Sequence, residues 1–127
     1  MGSEGRPATP PEAREGEEVR QYEIWWAGLP DPVGRRPVLI LTRTAALRYL
    51  SRVTVAEITT RIRGNRIEVR LDRDEGMPRA CVANLDSIHA VPSQSLSARI
   101  GTLASSRHVE VKRALGQAFE WIELTGP

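Results

Sequence analysis

Only one stretch of this chain keeps a helical period over several turns, and it comes last. From residue 105 onward Val111, Leu115, Ala118, Phe119 and Ile122 recur at the spacing of one apolar helix face. Ser105 or Ser106 is the expected N-cap, and Gly126-Pro127 ends the chain. Before that point, apolar residues fall in short β-rich runs separated by proline, glycine and asparagine. Five or six short strands followed by one amphipathic helix describe a compact, strongly bent sheet with the helix packed against it. The pattern carries no strand order.

The runs themselves are specific. Tyr22-Glu23-Ile24-Trp25-Trp26-Ala27 is aromatic and β-rich and predicts the first strand. In residues 28–34 two prolines and two glycines flank Asp31, which predicts a break in regular structure. Residues 37–42 form a continuous apolar run suited to a strand buried on both faces, with Pro37 tolerated at its start. Residues 44–50 predict a short helix capped by Thr44. Residues 53–59 alternate, with Val53, Val55 and Glu57 on one face, and residues 67–71 alternate apolar in, charged out. Residues 80–84 and 88–91 predict two more strands.

At 127 residues the chain fits one domain. Residues 1–19 hold Gly, Pro and Glu and almost no large apolar side chain, too little buried surface to offset ordering entropy, so a flexible tail is expected there and a folded domain over 20–127. No apolar run approaches the roughly 20 residues of a membrane span, and no signal-peptide pattern opens the sequence, which points to the cytoplasm. Cys81, the single cysteine, lies in Ala80-Cys81-Val82-Ala83 and reads as a buried small hydrophobe. The net charge of +2 hides an asymmetry: residues 1–19 carry five glutamates against two arginines, a net −3, which leaves +5 on the remainder. Its cations are arginines except Lys112. Guanidinium groups bind phosphate by two parallel donors and stack on bases, which suits RNA.

Five motifs in order carry a family resemblance. Glu23-Ile24-Trp25-Trp26, a Pro/Gly loop and Arg36-Pro37-Val38-Leu39-Ile40-Leu41 resemble the opening of MazF/PemK toxins. Val53-Thr54-Val55-Ala56-Glu57-Ile58-Thr59-Thr60 is similar to the family's third strand, and Glu68-Val69 to its next. Leu85-Asp86-Ser87-Ile88-His89-Ala90-Val91 and Ile100-Gly101-Thr102-Leu103 match the later segments. Three departures stand out: the loop before Arg36 is short, Tyr22 occupies the place of the family's usual glycine, and Ser87 that of a common glutamine. The resemblance implies a mainly β fold with a C-terminal helix, the SH3-like barrel of the CcdB/MazF/PemK group. It also implies a homodimer, a cognate antitoxin with an acidic, partly disordered segment, and cleavage of single-stranded RNA without cofactor or metal.

By the same resemblance Arg36 and Thr59 are the catalytic residues. Trp25, Arg35, Thr60, Arg61, Arg63, Asp86 and Ser87 are the expected RNA-binding residues. Trp25 and Trp26 alternate along their strand, so one fills the core and the other faces a groove. Arg61, Arg63 and Arg66 flank the Gly64-Asn65 turn, where they either track an RNA backbone or form a solvated basic turn. His89 and His108 have no spacing that forces them into an acid–base pair. Asp72, Asp74 and Glu75 lack a calcium loop's ligand spacing and read as a solvated turn. Two other functions remain open: a CcdB-like gyrase-inhibiting toxin on the same fold, and a nucleic-acid-binding barrel without catalysis.

Overall fold

The computed structural model describes residues 18–126. Six strands form one antiparallel sheet: β1 (Glu23–Leu29), β2 (Gly34–Ile40), β3 (Arg52–Thr59), β4 (Glu68–Leu71), β5 (Cys81–Pro92) and β6 (Leu96–Thr102), in the order β4-β5-β3-β2-β1-β6. A short helix, α1 (Thr44–Leu47), joins β2 to β3, and α2 (His108–Phe119) follows β6. The sheet is curled into a half-barrel, as the resemblance implies, and the sequence alternation explains its two apolar faces. On one, Ile24, Leu39, Ala56, Ile58, Val69, Leu71 and Leu85 pack with Val111 and Ala114 of α2. On the other, Trp25, Ala27, Val38, Ile40, Val53, Val55, Val91 and Leu96 form a second core, with Val33 and Leu47 packed along it.

Several boundaries differ from the sequence reading, each for a local reason. Val19, assigned to the tail, is 7% exposed and packs in the second core; residues 1–17 of that tail lie outside the described residues. The break after β1 is only a tight hairpin turn, closed by Val33 N–H to the Pro30 carbonyl at 3.0 Å, so β2 begins at Gly34 and contains both Arg35 and Arg36. Thr44 does not cap α1; its Oγ1 accepts the Gln21 N–H at 2.9 Å instead. The two strands expected over 80–84 and 88–91 are one, β5, whose pairing with β3 skips from Asn84 to Ile88. Leu85, Asp86 and Ser87 form the bulge between, and the fully buried Leu85 keeps the strand continuous through it. β6 has no expected counterpart, because Leu96-Ser97-Ala98-Arg99-Ile100-Gly101-Thr102 is mixed and small-residue-rich, as an edge strand tolerates. Helix α2 follows a 3-10 turn at Ser105–Arg107 with no side-chain cap, and ends before Ile122, which is 78% exposed. No helix of the described residues is long and apolar enough to cross a membrane.

Candidate active site

The β2–β3 ladder runs Ile40↔Val55, Leu39↔Ala56, Val38↔Glu57 and then stops. Carried two residues further, the same register sets Arg36 across from Thr59, on the face that also bears Glu57. Beyond the last pair a cavity of about 490 Å³ opens, bordered by Trp26, Arg35, Arg36, Thr59, Thr60 and Arg79, with Gly76-Met77-Pro78 along one wall. Thus Arg36 and Thr59, the two residues singled out in the sequence, border one space, and neither is sealed from solvent: the Arg36 side chain is 34% exposed and Thr59 half-buried.

Their local partners define what each can still bind. Thr59 Oγ1 accepts the Arg61 N–H at 3.1 Å, which leaves its own O–H to donate elsewhere. The only polar partner of Arg36 among the described residues is Glu57, with Nε 3.9 Å from Oε1, too long for a hydrogen bond. Arg36 Nε is buried with no acceptor; an orphan of this kind costs about 1–3 kcal/mol. Glu57 turns its other oxygen to His89, Oε2 to Nε2 at 2.6 Å. Sequence reasoning left this pair out. The position of Glu57 on the apolar face of β3 was a signal, but His89 reaches it only through a register that the sequence does not carry.

The cavity rim is cationic and aromatic. Arg35 Cζ sits 4.5 Å over the Trp26 ring centroid. Beyond Thr59 the backbone of Arg63 and Gly64 is pinned by Glu68, whose carboxylate accepts their N–H groups at 3.0 and 2.8 Å. The Arg61 and Arg63 side chains stay exposed on that fixed loop. Trp25 is corrected: it is fully buried, and its Nε1–H donates at 2.9 Å to Glu23 Oε1, itself in a residue 4% exposed. Alternation sends Trp26, not Trp25, to the cavity. Asp86 and Ser87 sit on the β5 bulge, outside the cavity lining.

Other sequence candidates resolve into structure. His108 stacks on Tyr22 with ring centroids 3.5 Å apart and sets Nε2 3.1 Å from the Leu103 carbonyl, so the two histidines hold different partners and form no pair. The acidic turn is not simply solvated: Glu75 is 6% exposed, forms a capping box with Asp72 and takes Arg107 at 3.0 Å. Among the described residues no group of three His, Cys, Asp or Glu side chains converges as metal ligands. Cys81 is buried, and its thiol is pushed up to about 11, first by burial and then by the charges of Asp72 and Glu75.

A family model, PemK-like, MazF-like toxin of type II toxin–antitoxin system, matches residues 20–119. The probable endoribonuclease MazF5 of Mycobacterium tuberculosis is 40% identical over 99 residues, 77% of this chain and 90% of that protein. Endoribonuclease MazF3 of the same organism is 39% identical over 89 residues, 68% of this chain and 86% of the relative. The solved M. tuberculosis toxin MazF-mt6 superposes with a TM-score of 0.73 at 38% identity, covering 77% of this chain and 96% of that one.

Proposed function

The chain belongs to the PemK-like, MazF-like toxins of type II toxin–antitoxin systems and is a MazF-type endoribonuclease; from that premise we propose that Arg36 and Thr59 hold the scissile phosphate of a single-stranded RNA and that cleavage needs no metal. The observation that carries this reading is their shared place at the open end of the β2–β3 ladder, bordering one cavity.

In metal-free cleavage the ribose 2′-oxygen attacks the adjacent phosphorus and the P–O5′ bond breaks, leaving a 2′,3′-cyclic phosphate and a 5′-hydroxyl. One proton leaves the 2′-hydroxyl, one arrives at O5′, and negative charge grows on the non-bridging oxygens. Arg36 answers that charge with a permanent cation and two parallel donors. A permanent cation of this kind cannot serve as the base. Thr59, which accepts the Arg61 N–H on one lone pair, has its O–H free to donate to a phosphoryl oxygen. Trp26 offers its ring to a base, a contact worth about 1–3 kcal/mol. Arg35, Thr60, Arg61 and Arg63 track the flanking backbone, and Asp86 and Ser87, off the cavity, meet nucleotides beyond the scissile step.

The protein acts in the cytoplasm as a homodimer with two such sites, and an acidic antitoxin segment neutralises the arginine rim. Sequencing of RNA 5′ ends from cells expressing the chain tests the reading. Discrete new 5′-hydroxyl ends, absent with Arg36→Ala, are expected; the same ends with Arg36→Ala remove Arg36 from catalysis.

A further inference from the structure

Among the described residues no hydrogen bond fixes the orientation of Arg36 at the cavity. Its Nε–H is buried and unaccepted, yet the guanidinium must present its two terminal nitrogens to a phosphate in a set plane. The nearest oxygen is Glu57 Oε1 at 3.9 Å. Glu57 stands on the central β3, paired with Val38 of β2 on one side and Asn84 of β5 on the other, so its side chain lies between Arg36 and His89. The His89 bond to Oε2, at 2.6 Å, fixes the carboxylate's rotation and leaves Oε1 turned to Arg36. Glu57 is well covered, with 17% of its side chain exposed, so water competes weakly for that oxygen.

We propose that Glu57 and His89 are positioning residues for Arg36: His89 holds the Glu57 carboxylate, and Glu57 takes the Arg36 Nε–H when a phosphate docks on the terminal nitrogens. A shift of under 1 Å brings the 3.9 Å separation to hydrogen-bond length, the tightening expected between a free site and a substrate-bound one. The cation keeps its charge on the side facing the RNA, and its plane is held by an anion behind it. The inference rests on Arg36 being the phosphate ligand, as argued above.

The test is single-turnover cleavage of an RNA oligonucleotide carrying a site mapped with the wild-type chain, at saturating enzyme and across an enzyme titration. Glu57→Ala is expected to lower the cleavage rate constant about 10- to 100-fold with apparent affinity within about threefold, because alignment rather than binding is lost. Glu57→Gln keeps an acceptor oxygen and is expected to recover most of that loss. His89→Ala is expected to be slowed less, about 3- to 10-fold, and the Glu57→Ala, His89→Ala double variant to be no slower than Glu57→Ala alone, the signature of residues acting through one another. Thermal unfolding of each variant identifies those that remain folded, and His89→Ala carries the test if Glu57→Ala does not fold: a folded His89→Ala that cuts at the wild-type rate then overturns the proposal. A folded Glu57→Ala that cuts at the wild-type rate, or losses that multiply in the double variant, overturn the proposal. Undiminished cutting by Arg36→Ala fails the site reading itself, whereas a dead Arg36→Ala beside a fully active Glu57→Ala fails this inference alone.

Discussion

At Arg36, charge and shape can be separated by substitution. Arg36→Lys keeps the cation but loses the planar fork, and is expected to lower kcat/KM on the order of 10²-fold, nearer to Arg36→Ala than to wild type. Thr59→Val removes one aimed donor at constant volume, with an expected loss of about 10²–10³ in kcat and little change in unfolding temperature. The adjacent tryptophans give opposite signatures. Trp26→Ala should raise KM about tenfold or more at unchanged stability, as expected for loss of base stacking. Trp25→Ala opens the second core and removes one of the donors to the Glu23 carboxylate, and should cost about 3–5 kcal/mol by denaturant unfolding. The dipeptide Trp25-Trp26 showed in the sequence that one ring is buried and one is not; which one depends on the face that β1 turns to its neighbours, and that is set by tertiary pairing.

The elements that hold the site are joined by a few polar ties. Tyr22, where glycine is usual in the family, has φ +73°, a left-handed backbone that glycine adopts without strain. Its ring stacks on His108, so the residue that strains the entry to β1 also anchors the first turn of α2. Near the same end of α2, Arg107 joins Glu75, Glu110 and the Arg70 carbonyl, connecting the 3-10 turn after β4 to the helix. The Arg107 hydrogen bond holds the Glu110 carboxyl below its ordinary value of 4.5. A carboxylate whose pKa is lowered by folding stabilises the fold above its unfolded pKa and loses that contribution as pH falls through the folded one. Stability should therefore fall below about pH 4.5 partly through this bond, and Glu110→Gln should flatten that acid limb in urea unfolding between pH 6 and 3. Element type was legible wherever the period was clean, as in β1, β3, β4 and α2. It failed where neighbours decide: β6 is a strand because β1 pairs with it, and β5 is one strand because Leu85 is buried through its bulge.

Across the whole molecule the curled sheet brings residues 36 and 59 together, although 23 positions separate them in the sequence, and sets an arginine rim around them. Motif order announced the fold and singled out both residues as candidates. It could not announce Glu57 and His89, whose meeting depends on the β3–β5 register. If Arg35, Arg36, Arg61 and Arg63 each meet a phosphate, RNA binding should fall with salt at a log–log slope of about −3, and Arg61→Ala or Arg63→Ala should each reduce that slope by about 0.7 without altering the cut sequence. Metal-free cleavage of a phosphodiester held by Arg36 and Thr59 is the central claim. Its most direct measurement is cleavage of purified single-stranded RNA in EDTA by the wild-type chain and by folded Arg36→Ala, with the product ends identified. Metal-free attack by the 2′-oxygen on a phosphate held by Arg36 predicts 2′,3′-cyclic phosphate and 5′-hydroxyl ends from the wild type and none from the variant. Cleavage that stops in EDTA, or persists in Arg36→Ala, contradicts it.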